Sequence, residues 1–268
     1  MKTYNRVLTI AGSDSGGGAG IQADIKTISA CGCYAASVIT AITVQNTLGV
    51  QAVEGISPTI IEGQIRAVLD DIGADAVKIG MLHNEEVVRI VSKTLKDYAV
   101  SSIVLDPVMV STSGHRLIEQ SAICSLMNEL IPLAQVITPN IPEAEILLGH
   151  PITSDNMTSS AQELAQRTGG SVLLKAGHLQ SAQIADVLYD YTTGTYTTMP
   201  SVRIETTNTH GTGCTLSSAL ASYLAKGLSL QKAAQAAKQY INSAIQHGAE
   251  YKIGHGFGPV AHFYQFWE

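Results

Sequence analysis

The chain has 268 residues, 45% hydrophobic and 14% charged, with a net charge of −6. Such a chain can bury a large core, which excludes intrinsic disorder. With aromatics at 5% and few cations, it has no raw material for a stacking surface or basic stripe that would bind nucleic acid. A phosphate site here must be built from backbone N–H groups, a metal ion and a few placed cations.

Lys2 and Arg6 precede the apolar run Val7–Ala11, which is too short for a secretory signal. No stretch approaches the roughly 20 apolar residues of a membrane span, so a cytoplasmic protein is expected. Val7–Ala11 reads as a first strand, buried on both faces. It runs into Gly12-Ser13-Asp14-Ser15-Gly16-Gly17-Gly18-Ala19-Gly20 and then a helix over Ala19–Ala30. The glycines let backbone approach a ligand closely. No Gly-Lys-Ser/Thr closes the loop, so it is not a Walker loop. Gly18, Gly20 and Ala23 fit a dinucleotide fingerprint, but no acid ends the next strand to hold a ribose. Asp24, one turn into the helix, can point back at the same pocket. Cys31 and Cys33 do not make a CxxC pair. With Cys124 they are expected as buried thiols.

Strands are expected next over Ala36–Val44, Ala76–Ile79, Ile103–Leu105, Gln135–Thr138 and Val172–Lys175. Helices are expected over Thr59–Ile72, Glu85–Tyr98, Ile118–Leu130, Ser159–Thr168, Thr212–Lys226 and Leu230–His247. The last carries Leu230, Ala233, Ala234, Ala237, Tyr240, Ile241, Ala244 and Ile245 on one face. This alternation predicts right-handed crossovers and a mostly parallel sheet covered on both sides. Ile184–Asp190 and Thr195–Met199 read as an edge β-hairpin. No linker or repeat interrupts the chain, so 1–268 is expected to be a single domain.

Ligands of open α/β sheets sit at the carboxyl ends of the strands. Gln45 follows the second strand, where its amide either reads a heterocycle edge or bonds local backbone. Met81 either covers an aromatic ring or belongs to the core. Asp106, before Pro107 and Val108, is a Mg²⁺ or base position, or a turn. Asn140 and Glu143 share a face. They either hold hydrated Mg²⁺ or form a capping box. Asn208-Thr209-His210-Gly211-Thr212-Gly213-Cys214 leads into an amphipathic helix, so its N–H groups either form an anion hole or belong to a plain Gly-rich helix entry with a small buried cysteine. Gly213 is expected at positive φ. The helix dipole is expected to lower the pKa of Cys214, a candidate base or nucleophile.

Eight segments in this order resemble the ribokinase superfamily, and most closely the hydroxymethylpyrimidine/phosphomethylpyrimidine kinases of thiamine biosynthesis. They are AGSDSGGGAGIQAD (11–24), TAITVQNT (40–47), KIGML (78–82), LDPVM (105–109), TPNIPEAEIL (138–147), LKAGH (174–178), NTHGTGCTLSSA (208–219) and GPVAHF (258–263). The resemblance implies a ribokinase-like three-layer α/β/α sandwich with a mostly parallel central sheet. It implies ATP-dependent phosphorylation of 4-amino-5-hydroxymethyl-2-methylpyrimidine and of its monophosphate, with Mg²⁺, in a homodimer. By the same resemblance, Gly12, Asp24, Gln45, Met81 and Val108 bind the pyrimidine. Asn140, Lys175 and Thr209 bind the nucleotide, and Asp106 and Glu143 the metal. Gly211, Thr212 and Gly213 stabilise the transferring phosphoryl, and Cys214 is the catalytic base. Ala176 departs from a glycine frequent in the family. Two rivals stay open: a pyridoxal kinase, which typically lacks Gln at position 45, and a nucleotide sensor without turnover.

Overall fold

The computed structural model describes residues 2–98, 100, 102–109, 120–177 and 183–267. Its elements in chain order are β1 (Arg6–Asp14), α1 (Gly20–Ala30), β2 (Tyr34–Asn46), β3 (Gly49–Gly55), α2 (Pro58–Asp71), β4 (Ala76–Ile79), α3 (Glu85–Asp97), β5 (Ile103–Leu105), α4 (Gln120–Ser125), β6 (Val136–Ile137), α5 (Ile141–Leu148), α6 (Met157–Thr168), β7 (Ser171–Leu174), β8 (Gln183–Asp190), β9 (Thr195–Val202), α7 (Thr212–Ala225) and α8 (Leu230–Gly248).

The described strands form one sheet in the order β3-β2-β1-β4-β5-β6-β7-β8-β9. Its centre, from β2 to β7, is parallel. β3, β8 and β9 add antiparallel edges. Alternate residues of each strand feed opposite cores. Leu8, Ile10, Val77 and Ile79 pack with Ile61, Val91, Ala144 and Leu164 of α2, α3, α5 and α6. Val7, Ala76, Val104 and Leu173 pack with Ile28, Leu220 and Ala237 of α1, α7 and α8. The result is the expected three-layer α/β/α arrangement, and β4 to β7 are buried on both faces.

Several boundaries differ from the sequence reading. β1 continues to Asp14, with a bulge between Ala11 and Ser13, because β2 is long enough to pair with it. The Gly-rich turn is correspondingly shorter. β3 carries no apolar alternation, since Val50 alone is buried along it. Backbone pairing to β2 holds it. Residues 118 and 119 of the fourth expected helix lie outside the described residues. From Gln120 the segment is α-helical, then winds as a π turn over Leu126–Leu130 and a 3-10 turn over Ile131–Leu133. Pro132 lacks the N–H that an α-helical ladder would need there. Cys31 and Cys33 are buried as expected, but Cys124 is exposed on the outward side of α4. The edge hairpin is present, with Gly194 at φ +69 in its turn. Pro200 is tolerated because β9 is the sheet's last strand. No helix among the described residues is long and apolar enough to cross a membrane.

Candidate active site

The carboxyl ends of the parallel strands meet the first turns of α1, α5 and α7. The best-defined cluster lies at β5, β7 and α7. Asp106 follows β5 and is 2% exposed. Its Oδ1 accepts from Lys175 Nζ at 2.8 Å and from Thr138 Oγ1 at 3.0 Å. Gly213 faces the same pair from α7. A Cβ there would lie 3.3 Å from Asp106 Oδ2 and 3.4 Å from Lys175 Nζ. The missing side chain therefore leaves a cradle between a carboxylate, an ammonium and a helix N-terminus, which suits a phosphate with its counter-cation. Burial pulls the Lys175 pKa down, but Asp106 and Glu143 outweigh it and hold the ammonium above its ordinary value. The cation is therefore charged at any physiological pH.

A second cluster lies at β1, β2 and β4. The Cβ position of Gly12 is 2.5 Å from Met81 Cε, so any larger residue would push Met81 out of place. Met81 is largely buried, and its carbonyl accepts from Thr40 Oγ1 at 2.8 Å. Gln45 is half-buried at the bulge where β2 leaves register with β3. Its backbone is fastened to the Gly-rich turn: Ser15 Oγ donates to Gln45 O at 2.7 Å and lies 2.9 Å from Gln45 N. Val108 is half-buried two residues beyond Asp106, with its N–H on the Asp106 carbonyl.

The two loops that carry glycine clusters interlock. Gly211 has φ +79, and a Cβ on it would run into the Gly18 carbonyl. Only glycine satisfies both demands. Gly213, by contrast, is not at positive φ but inside α7, because the left-handed residue is the N-cap Gly211. Thr209 closes the turn, its carbonyl accepting from Thr212 N at 3.4 Å.

Two further expectations need correction, for Asp24 and Cys214, and one open alternative is resolved, for Asn140 and Glu143. Asp24 does not open into the pocket. It is 0% exposed, and its oxygens accept from Lys78 Nζ at 2.9 Å, Thr9 Oγ1 at 2.6 Å and Ser218 Oγ at 2.7 Å. It lies beneath the site as half of a buried ion pair and has no surface to offer a substrate. Cys214 does not have a lowered pKa. Burial pushes the thiol up to about 11; Lys78 pulls it down while Asp24 and Asp106 push it further up. Desolvation thus outweighs the helix dipole. For Asn140 and Glu143 the capping box is observed. Asn140 Oδ1 accepts from Glu143 N at 2.9 Å and Glu143 Oε2 from Asn140 N at 2.8 Å. Burial also raises the Glu143 pKa to about 7; Lys175 lowers it and Asp106 raises it.

The sequence reading missed Lys78, Asp14 and His210. Lys78 has no exposed side-chain surface, and its signal was a lone cation inside an apolar strand. Asp14 and His210 stood within the quoted motifs, but their pairing at 2.8 Å joins positions 196 residues apart. His178, the last residue of the LKAGH segment, lies outside the described residues.

A family model described as phosphomethylpyrimidine kinase matches residues 14–261. The chain belongs to this family. It is 49% identical to a hydroxymethylpyrimidine/phosphomethylpyrimidine kinase of Rhizobium meliloti, over 97% of this chain and 98% of that one. Among solved structures, a phosphomethylpyrimidine kinase from Clostridium difficile 630 is 46% identical with a TM-score of 0.79, covering 90% of this chain and 99% of that one. An ADP complex of Bacillus subtilis pyridoxal kinase is 36% identical with a TM-score of 0.89, covering 97% and 98%. Sequence identity ranks the first structure higher and backbone overlap the second. Both kinds of kinase share the fold, so side chains carry the substrate argument.

Proposed function

We propose that the chain, as one catalytic unit over residues 1–268, transfers the γ-phosphoryl of ATP to the hydroxymethyl group of 4-amino-5-hydroxymethyl-2-methylpyrimidine, and then phosphorylates the monophosphate to the diphosphate. The observation that carries this reading is the cradle at Gly213 between Asp106 and Lys175. Phosphoryl transfer is catalysed mainly by positioning and charge stabilisation, and this cluster supplies both.

In this reading Gln45 orients the aminopyrimidine and Met81, Gly12 and Val108 enclose it. Lys175, Asn140 and Thr209 hold the nucleotide side. The N–H groups of residues 211–214 take up charge as it develops on the phosphoryl oxygens. Mg²⁺ fits the donors present: Asp106 and Glu143 are hard oxygen ligands beside an unfilled cradle. Among the described residues no three His, Cys, Asp or Glu side chains could hold a metal by themselves. Water and ATP oxygens would complete such a shell, and the ion would neutralise phosphate charge. Cys214 can receive the hydroxyl proton only as a thiolate, a small fraction at neutral pH for a thiol pushed up to about 11; otherwise the proton passes to a phosphoryl oxygen. Anion stabilisation therefore carries most of the rate. Asp24 acts from below, holding Lys78 beneath Cys214. A homodimer belongs to this reading and is supported by the exposed apolar side chains Ile42, Val44 and Leu48 at the β2–β3 edge.

The pyridoxal reading has the backbone overlap in its favour. Gln45 and the run His210-Gly211-Thr212-Gly213-Cys214 weigh for the pyrimidine. Phosphorus NMR of the products tests the proposal. Incubation with ATP, Mg²⁺ and the pyrimidine should give first a phosphomonoester and then a diphosphate signal. ADP and inorganic phosphate alone would refute it.

A further inference from the structure

Asp14 and His210, both buried and used in no step described above, link the Gly-rich turn to the phosphate loop and to Gln45. Asp14, at the end of β1, is 3% exposed. Its Oδ1 accepts from Gly16 N at 2.8 Å, and its Oδ2 from Gly18 N at 3.0 Å and Ala19 N at 2.9 Å. His210 Nε2 lies 2.8 Å from the same Oδ2. That ring nitrogen is also 3.3 Å from Gln45 Nε2, and Gln45 Oε1 is 3.1 Å from Thr43 Oγ1. Thr43 Oγ1 is in turn 3.0 Å from the Ser13 carbonyl.

Counting hydrogens fixes the state of these groups. Burial pushes the Asp14 carboxyl up, but His210 and the backbone N–H groups outweigh it and hold it below the usual carboxylate range. An ionised carboxylate only accepts, so His210 Nε2 carries the hydrogen. A charge-assisted bond at 2.8 Å dominates a neutral contact at 3.3 Å. Nε2 therefore cannot accept from the Gln45 amide. With the amide nitrogen toward His210, two N–H donors face each other. Thr43 then has one hydrogen for two acceptors, Ser13 O and Gln45 Oε1. A half-turn of the amide removes both conflicts. Oε1 then faces the His210 N–H as the weaker branch of the bond that hydrogen makes to Asp14, with no opposing donor, Nε2 donates to Thr43 Oγ1, and the Thr43 hydrogen goes to Ser13 O.

We propose that His210, held by Asp14, is a positioning residue that determines specificity by fixing which end of the Gln45 amide is oxygen, and so the donor–acceptor order that a heterocycle's edge meets. This rests on the proposed pyrimidine reading, in which Gln45 touches the ring. An aminopyrimidine presents an acceptor nitrogen beside an amino donor. The corresponding pyrimidin-4-one presents an N–H donor beside a carbonyl acceptor, the reverse order. A free amide could turn to suit either, whereas a locked one rejects the second. His210 also belongs to the loop it precedes. A Cβ on Gly18 would lie 2.5 Å from His210 Cδ2, and His210 N donates to Gly258 O at 3.0 Å.

The test compares KM for the 4-amino substrate with Ki for 5-hydroxymethyl-2-methylpyrimidin-4-one in the wild type, His210→Phe, Thr43→Val and Thr43→Ser. Thr43 is buried, and valine keeps its shape while removing the hydroxyl. His210→Phe and Thr43→Val should each reduce the wild-type preference about tenfold, and Thr43→Ser should restore it. An unchanged Ki/KM ratio in folded His210→Phe would overturn the proposal. If His210→Phe does not fold, an unchanged ratio in Thr43→Val overturns it alone. A wild type that binds neither compound would overturn the pyrimidine reading itself, and this inference with it.

Discussion

Lys78 Nζ lies 2.9 Å from Asp24 Oδ2, and neither side chain is exposed to solvent. Thr9 and Ser218 complete the shell of the carboxylate. Removing one partner of such a pair strands a buried charge, which costs about 3–5 kcal/mol. Lys78→Met should lower stability by that amount in urea unfolding. Adding Asp24→Asn should recover part of the loss. A loss below about 1 kcal/mol would show that the pair is not desolvated as described.

Glu143 sets a pH dependence opposite to that of most carboxylates. Its pKa is raised from 4.5 to about 7, chiefly by burial, so the folded chain keeps a proton that the unfolded chain releases. Its contribution to stability is complete below pH 4.5 and is lost as pH rises toward about 7. The size of the effect is roughly 3 kcal/mol. Glu143→Gln keeps the capping box, since a glutamine oxygen also accepts from Asn140 N. The variant should lack this loss of stability between pH 5 and 7, by about 2 kcal/mol in metal-free denaturation. Its apparent Mg²⁺ affinity should fall. Equal Mg²⁺ titrations in wild type and variant would leave Glu143 a capping role only.

Gly213→Val should lower kcat by at least about 10²-fold. Its Cβ would enter the cradle 3.3 Å from Asp106 Oδ2, and its methyl groups would fill the rest. The residue is helical, so the effect is occupancy and not backbone strain. Gly213→Ala should therefore be intermediate. Calorimetric affinity for the aminopyrimidine should stay close to wild type in both variants. An active Gly213→Val enzyme would remove the phosphate from this position.

Cys214→Ser should reduce kcat only several-fold, because a thiol with a pKa of about 11 is almost wholly protonated at neutral pH. The pH–rate profile should then show no thiol ionisation near neutrality. A fall of about 10²–10⁴ with unchanged KM values would instead make Cys214 the base on which the rate depends.

Much of this architecture was legible in the chain. The apolar run at Ile103–Leu105 and the run at Ala76–Ile79, interrupted only by Lys78, marked strands buried on both faces, and they form β5 and β4. β3 was not legible, because backbone pairing alone holds an edge strand with one buried side chain. At the site, Asp106, Lys175 and Gly213 come together as their motifs suggested. Asp24 and Cys214 were misread because sequence shows an acid or a thiol but not its depth. Asp24 is closed off by Lys78, and desolvation reverses the shift expected for Cys214. The Asp14–His210 contact has no local signature at all, since folding alone brings the two loops together.

The most direct measurement is a coupled ADP-release assay with ATP and Mg²⁺, run with 4-amino-5-hydroxymethyl-2-methylpyrimidine, with its monophosphate, with pyridoxal and with no acceptor. The account predicts turnover with both pyrimidines, a kcat/KM for pyridoxal at least about tenfold lower, and only a trace of ADP without acceptor. Gln45→Leu should raise KM for the pyrimidine about ten- to a hundredfold and leave KM for ATP nearly unchanged. Faster turnover of pyridoxal than of the pyrimidine, or ADP release that no acceptor stimulates, would contradict it.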